Sequence, residues 1–291
     1  MAKDFYVRTI QAGRYFKSVR YRRSLPSDSK EVRAAKSATT NKAQRYINLK
    51  NAAEKLQMLL CANYDVKEAC FCTLTFSDDN LPANRKMARQ YVISFREALR
   101  RKWQRQKREL KFIYNVEGTS LSIDPGAKPA EESQWEIQPW RVKSRWDLVD
   151  KPTKRTKSKE SVRFHAHCFL ILNKADREVV RNLWPYGHVF INPMQVDLPD
   201  TFYRLSYYVT KEARNGTLPK GARSYVPSRN LEQPVIEGHW CNECEVLQPP
   251  PNAEHVHTAN ESTDYTSFQY CSYRLPRPRR HPKSYKSKGR I

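Results

Sequence analysis

The sequence predicts an α+β fold of ferredoxin or RRM type, a central antiparallel sheet with flanking helices. Three observations carry this expectation. Between residues 69 and 213, short apolar β-prone runs alternate with helical stretches in the order β-α-β-β-α-β-α. The two middle strands are joined by a stretch without helical periodicity, and such strands pair most simply as antiparallel neighbours. The chain has 291 residues, 39% of them apolar, enough to bury a core.

Residues 1–40 are basic and aromatic, with Arg20, Arg22 and Arg23 beside Tyr15, Phe16 and Tyr21. They read as an N-terminal arm that contacts nucleic acid. Residues 41–62 have helical spacing, with Tyr46, Leu49, Ala53, Leu56, Leu59 and Leu60 on one stripe. Ala69 to Phe76, ACFCTLTF, is short, apolar and β-prone and ends in the turn signal Ser-Asp-Asp-Asn-Leu-Pro, so it reads as a central strand. Residues 84–107 predict a second helix whose apolar face holds Met87, Tyr91, Val92, Phe95, Ala98, Leu99 and Trp103. Residues 85–111 carry eleven Lys/Arg against two Glu, either a phosphate-facing surface or a solvated face. Leu110 to Glu117 predicts a second strand, followed by Gly118.

Residues 118–161 read as an insertion, with three Trp, a hairpin pattern from Gln134 to Trp140 and a basic low-complexity stretch from Lys151 to Lys159. Residues 162–172, Val-Arg-Phe-His-Ala-His-Cys-Phe-Leu-Ile-Leu, predict a strand. A short helix from Ala175 to Leu183 and the turn Trp184-Pro-Tyr-Gly187 follow. Residues 188–196 alternate as a strand, with Pro193 marking an edge or a bulge. Residues 200–213 predict a helix that Asp200 caps. The main domain is therefore expected at 41–215.

Residues 216–273 change character. From 230 to 273 there is no Lys or Arg, and Pro249 to Pro251 run together. Cys241-x-x-Cys244 with His255 and His257 could hold a structural Zn²⁺. The irregular His-x-His spacing fits a loosely ordered acidic segment better. Residues 274–291 carry eight Lys/Arg and no acid, and read as a disordered DNA-binding tail.

The charge narrows the function. With 53 Lys+Arg against 30 Asp+Glu, the net charge is +23. Such a chain repels itself unless a polyanion shares the charge, and nucleic acid is the expected one. The seven cysteines are an odd number, several in expected core strands, and no signal-peptide pattern precedes them. A reducing cytoplasm is the expected compartment. No apolar run approaches the ~20 residues that span a bilayer, so no membrane partner is expected.

Strand 162–172 bears the chemistry. Alternate side chains share a face, so His165 and His167 stand about 6–7 Å apart along one side. Two imidazoles so placed can hold one divalent metal; the alternative is a surface strand that happens to carry two histidines. In helix 200–213, Phe202, Leu205, Val209 and Ala213 define the buried stripe. At about 100° per residue, Tyr207 points nearly opposite that stripe and Tyr208 lies at its margin. Lys211 lies within one turn of both. A tyrosine hydroxyl, with a free pKa near ~10, needs a metal or a cation to attack phosphorus, and the margin position favours Tyr208.

Five motifs then fall in one order: Cys70–Phe76 with its Asp-Asp-Asn-Leu-Pro turn, Val116-Glu117-Gly118, Arg163-Phe-His165-Ala-His167, Leu183-Trp-Pro-Tyr-Gly187 and Tyr208-Val-Thr-Lys211. This order resembles the rolling-circle replication initiators of the HUH endonuclease superfamily. It is most similar to those of small single-stranded DNA phages of microvirus or gokushovirus type, and the resemblance covers about half the chain. It implies an HUH endonuclease fold, His165, His167 and Glu117 as metal ligands for Mg²⁺ or Mn²⁺, Tyr208 as nucleophile, and Lys211 beside the scissile phosphate. The implied substrate is a single-stranded or hairpin DNA origin, with a 5′-phosphotyrosine link and a free 3′-hydroxyl as products. The sequence departs from the pattern twice. Many phage relatives carry a tyrosine four residues before the second one, where this chain has Arg204, and Tyr203 is out of register. The long stretch 118–164 separates Glu117 from His165, and Glu136 and Glu160 compete with Glu117 as the carboxylate.

No Gly-x-x-x-x-Gly-Lys-Ser/Thr run occurs, so unwinding is expected to fall to a host helicase, with a host polymerase extending the 3′ end. Two alternatives stand beside the nickase: a non-catalytic basic DNA- or RNA-binding protein that uses the sheet as a platform, and a related HUH transposase or plasmid relaxase.

Overall fold

The computed structural model describes residues 5–22, 42–120, 162–215, 217–219, 222–242, 246–262 and 267–278. The insertion's expected hairpin at 134–140 and its basic stretch at 151–159 lie outside these residues, as do Glu136, Glu160, Cys244 and residues 279–291.

The elements are β1 (Phe5–Ala12), β2 (Tyr15–Arg22), α1 (Lys42–Asn63), β3 (Ala69–Thr75), α2 (Arg85–Arg105), β4 (Ile113–Ser120), β5 (Val162–Ile171), α3 (Lys174–Asn182), β6 (Val189–Pro193), α4 (Tyr203–Val209), α5 (Lys211–Asn215), β7 (Val226–Pro227), β8 (Val235–Cys241), β9 (Glu254–Ser262) and β10 (Ser267–Arg274). They build an α+β protein with two five-stranded sheets, ordered β6-β3-β5-β4-β7 and β8-β1-β2-β10-β9. Every pairing is antiparallel.

The first sheet is the central one. Alternation along its strands divides their side chains between two cores. Cys70, Cys72, Leu74, Phe164, Ala166, Cys168 and Leu170 face α2 and α3, where Val92, Phe95, Leu99, Trp103 and Val180 close the layer. Ala69, Phe71, Ile113 and Phe169 face the other way, against Leu56 and Leu60 of α1, Tyr64 just beyond its end, and Phe202 and Val209 at α4. Both faces are covered, which explains why β3 reads as a nearly unbroken apolar run rather than an alternating one. A wholly buried side chain such as Leu74 contributes about 1.5–3 kcal/mol, and Leu74→Ala costs more, about 2–5 kcal/mol, because a cavity remains.

Local signals set the ends of α2 and α3. Asn84 caps α2 by accepting from the Met87 N–H at 2.9 Å. Asn173 and Asp176 form a reciprocal capping box at α3. Asp176 also takes a two-pronged ion pair from Arg108, at 2.8 and 2.7 Å. The Trp184–Gly187 turn docks on the end of β3: the Trp184 indole N–H donates to Thr75 O at 2.9 Å. Gly187 is required there, because a Cβ would stand 2.3 Å from Thr75 O.

Several expectations are corrected. Residues 5–22 are not an arm. Phe5–Ala12 and Tyr15–Arg22 form a hairpin whose two-residue loop begins at Gly13, with φ +59. Basic and aromatic composition masked a period-two pattern, and Arg20 lies over the Phe5 ring at 3.9 Å instead of extending free. Residues 230–273 are not loosely ordered throughout: β8 pairs with β1, and β10 with β2. Those partners lie more than 200 residues upstream, so local composition could not show them. The expected boundary at 215 is not kept either, since β7 completes the central sheet and Ala12 and Tyr15 join the α1 core. Arg274 and Arg277, expected in a disordered tail, are ion-paired to Asp65 and Asp197.

The expected single helix at 200–213 is broken at Thr210, whose hydroxyl donates to Ser206 O at 2.9 Å. Asp200 accepts from the Arg204 N–H at 3.3 Å, but the residue flanking the helix start is Phe202, in the left-handed region with φ 67. Among the described residues, no helix is long and apolar enough to cross a membrane.

Candidate metal centre

Glu117, His165 and His167 come together on the α1/α4 side of the central sheet. The pairing register does this. Glu117 stands directly opposite His165 across the β4–β5 ladder, and His167 lies two residues along the same face. Their ligand atoms all lie within 4.8 Å of one another. Glu117 Oε2 is 3.5 Å from His165 Nε2 and 3.4 Å from His167 Nε2. Two ligands each about 2.1 Å from one ion stand ~3.0 Å apart at a right angle and ~3.4 Å apart at a tetrahedral angle. The carboxylate–imidazole separations match that span. Glu117 Oε2 is buried, and its contacts to the two imidazole nitrogens are too long or too poorly aligned to make a good hydrogen bond. A buried anionic oxygen is costly to leave so, and a cation between it and the two imidazoles would relieve it. The group could therefore hold a metal ion.

The surroundings hold each ligand in place. Thr73 lies opposite His167 on β3, and its hydroxyl is 2.9 Å from His167 Nδ1, which leaves Nε2 facing the carboxylate. Phe71 stacks on the same imidazole, ring centres 5.0 Å apart and planes 21° from parallel. Lys211 Nζ binds Glu117 Oε1 at 2.6 Å, so one carboxylate oxygen meets the lysine and the other the histidines. Asn115 Nδ2 donates to Val209 O at 3.2 Å and ties the end of α4 to the sheet.

The charges follow from this packing. Burial opposes the Glu117 carboxylate, but hydrogen bonding and charge from His165, His167 and Lys211 outweigh it and hold its pKa far below the usual range. Burial pushes His167 down to about 4; Glu117 resists that shift, while the positive charges of His165 and Lys211 add to it. Its neutral form is the one that binds metal. Burial works against the Lys211 ammonium, yet Glu117 and Tyr208 raise its pKa above the usual value.

The tyrosines separate as their helical angles require. Tyr208 lies beside the centre, its ring 5.6 Å from the His167 ring and 6.5 Å from Phe71. Lys211 Nζ sits 4.2 Å from the Tyr208 ring centre. Tyr203 and Tyr207 stack on each other at 5.9 Å; all three tyrosines are partly exposed, and it is the ring contacts with His167 and Phe71 that set Tyr208 apart. The basic helix α2 packs on the face of the sheet opposite the histidines, and Arg85 at its first turn pairs with Glu212 beside the centre.

Residue patterns did not single out Thr73, Phe71, Asn115, Arg85 or Glu212. The first three share strand faces with the histidines or Glu117, so the register would have named them had the strand pairing been known. The Zn²⁺ reading finds no support: Cys241 lies on β8 and His255 and His257 on β9, with three strands between them in sheet order. Among the described residues, Glu117, His165 and His167 form the one group that could hold an ion. No family model, no curated protein and no solved structure matches the chain.

Proposed function

We propose that this protein is an HUH-type DNA nickase that initiates rolling-circle replication. The observation that carries the reading is Tyr208 packed beside the Glu117–His165–His167 group, with Lys211 touching both the tyrosine ring and Glu117. The fold supports it. Strands β3, β4, β5 and β6 follow one another as first to fourth, and lie in the order fourth-first-third-second, the order expected if two β-α-β units interleave as in a ferredoxin-like layer.

Glu117, His165 and His167 would hold Mg²⁺ or Mn²⁺, which would supply positive charge to offset the charge developing on the scissile phosphate. Lys211, kept charged by Glu117, stabilises the phenolate as Tyr208 loses its proton. Tyr208 Oη attacks phosphorus, and the bond from phosphorus to the 3′-oxygen breaks. The products are a 5′-phosphotyrosine and a 3′-oxygen that takes up a proton, so the proton lost and the proton gained balance. The phosphodiester bond energy is kept in the tyrosine link for later rejoining. The substrate is single-stranded or hairpin DNA with an exposed backbone, drawn by the protein's positive charge. A host helicase and polymerase supply unwinding and extension.

The experiment is incubation of the full chain with labelled single-stranded and hairpin oligonucleotides and Mn²⁺, followed by mass spectrometry of the peptide–nucleotide conjugate. The expected adduct is on Tyr208, absent in Tyr208→Phe and in His165→Ala, with DNA binding retained in both. An adduct on Tyr207 overturns the assignment of the nucleophile. No adduct on any tyrosine, with DNA bound, favours the non-catalytic binding protein. Covalent joining to a second strand without replication-type 3′ extension favours the transposase or relaxase relative.

A further inference from the structure

The helix that carries Lys211 is too short to hold itself in place. α5 has five residues and follows the break at Thr210, and so short a helix has no stability of its own. Something outside it must fix where Lys211 meets Glu117. The next residue, Glu212, is buried. Its carboxylate takes a two-pronged ion pair from Arg85, at 2.7 Å to Oε1 and 2.9 Å to Oε2. Oε1 also accepts from the backbone N–H of Gly118 at 2.8 Å. Arg85 in turn donates to the carbonyl of Val116.

Val116 and Gly118 flank Glu117. On that edge of β4, strand β7 pairs only with Ile113 and Tyr114 and then stops. The Arg85–Glu212 pair takes over beyond it, supplying one donor and one acceptor where a further strand would have done so. Two adjacent residues of α5 therefore grip β4 at one place: Lys211 holds the Glu117 side chain, and Glu212 holds the backbone beside it.

We propose that Arg85 and Glu212 are positioning residues for the metal centre. They act as a two-residue substitute for an edge strand, keeping Glu117 Oε1 on Lys211 and Oε2 turned toward the histidines. The inference rests on the metal reading above but names residues outside the Glu117–His165–His167 group. Loss of an outer hydrogen-bonding partner of a metal ligand weakens metal binding by about 10- to 100-fold. Glu212→Ala removes both the ion pair and the Gly118 contact; acting one step farther out, through the backbone beside Glu117, it is expected to weaken binding by about 10-fold, the low end of that range. Glu212→Gln keeps an acceptor for Gly118 and loses the charge, so it falls between Glu212→Ala and the unaltered protein.

The test is the Mn²⁺ dissociation constant of the full chain by electron paramagnetic resonance, with a urea melt of each variant to count folded molecules. Asp176→Asn is the control, because it breaks a similar Arg–carboxylate pair on the opposite face of the sheet. The expected result is weaker Mn²⁺ binding in both Glu212 variants and in Arg85→Ala, with the Asp176→Asn constant unchanged per folded molecule. If Glu212→Ala fails to fold, Glu212→Gln decides the matter. Unchanged Mn²⁺ binding in Glu212→Gln and Arg85→Ala overturns the inference alone. Equal weakening in Asp176→Asn also overturns it, since the effect would then be general loosening. Failure of the unaltered protein to bind Mn²⁺ overturns the metal reading, and this inference with it.

Discussion

Acid should unfold the metal-free protein earlier than an ordinary basic protein, and His167 should be the cause. Its imidazole is 1% exposed and its pKa is pushed down to about 4, chiefly by burial. An unfolded histidine titrates near ~6.5. Between these two values the unfolded chain binds a proton on this imidazole that the folded chain does not. Folding stability from this residue is therefore complete above pH ~6.5 and is lost as the pH falls toward ~4. Each pKa unit corresponds to about 1.4 kcal/mol, so the full window amounts to about 3 kcal/mol, with about 2 kcal/mol lost by pH ~5. Against a typical domain stability of about 5–15 kcal/mol that is a large share. Stopping at pH ~5 keeps the measurement above the range where unfolded carboxylates titrate, so Glu117 contributes little to the slope. The assay is urea unfolding in EDTA at intervals from pH ~7 to pH ~5, on the unaltered chain and on His167→Gln. The substituted chain should be less stable at pH ~7 and lose much less on acidification. Equal slopes in the two proteins would refute the reasoning, because the titrating group would then lie elsewhere.

Three further outcomes are expected. Mn²⁺ at one hundred times its dissociation constant should stabilise the folded chain by about 2.7 kcal/mol, and that increment should vanish in Glu117→Gln and His167→Ala; an increment that survives both substitutions in calorimetry would place the ion at another site. Gly187→Ala should destabilise by about 1–3 kcal/mol in urea melts, because its Cβ would stand 2.3 Å from Thr75 O and 2.8 Å from Ser77 N, both backbone atoms; an unchanged midpoint would show that the turn can move away from β3. Arg274→Ala should cost about 3 kcal/mol, since Arg274 is buried against Asp65 and its removal leaves that carboxylate to Arg14 and Arg277; a loss under ~0.5 kcal/mol would show that those two arginines suffice.

The sequence by itself determined most of the central layer and the two histidines of the candidate metal group. Local periodicity marks β3, α2, β5 and α3 to within a few residues, because each element's burial pattern is written in its own side chains. The His-x-His spacing needs only strand geometry to place both imidazoles on one face. The helical angle between Tyr207 and Tyr208 likewise separates an outward ring from one at the sheet's margin. What the tertiary structure decided was everything that depends on strand partners and on charges distant in sequence. Glu117 joined the histidines only once the β4–β5 register set it opposite His165 across a long intervening stretch. The basic hairpin and the acidic strands of the second sheet have compositions that suggest arms and tails. Pairing of β8 and β10 with β1 and β2 satisfies their backbone hydrogen bonds, and no local signal encodes a partner more than 200 residues away. The grip of Arg85 and Glu212 on β4 belongs to the same class: each residue is an ordinary surface charge in the sequence, and only the end of β7 at Tyr114 leaves the strand edge they fill.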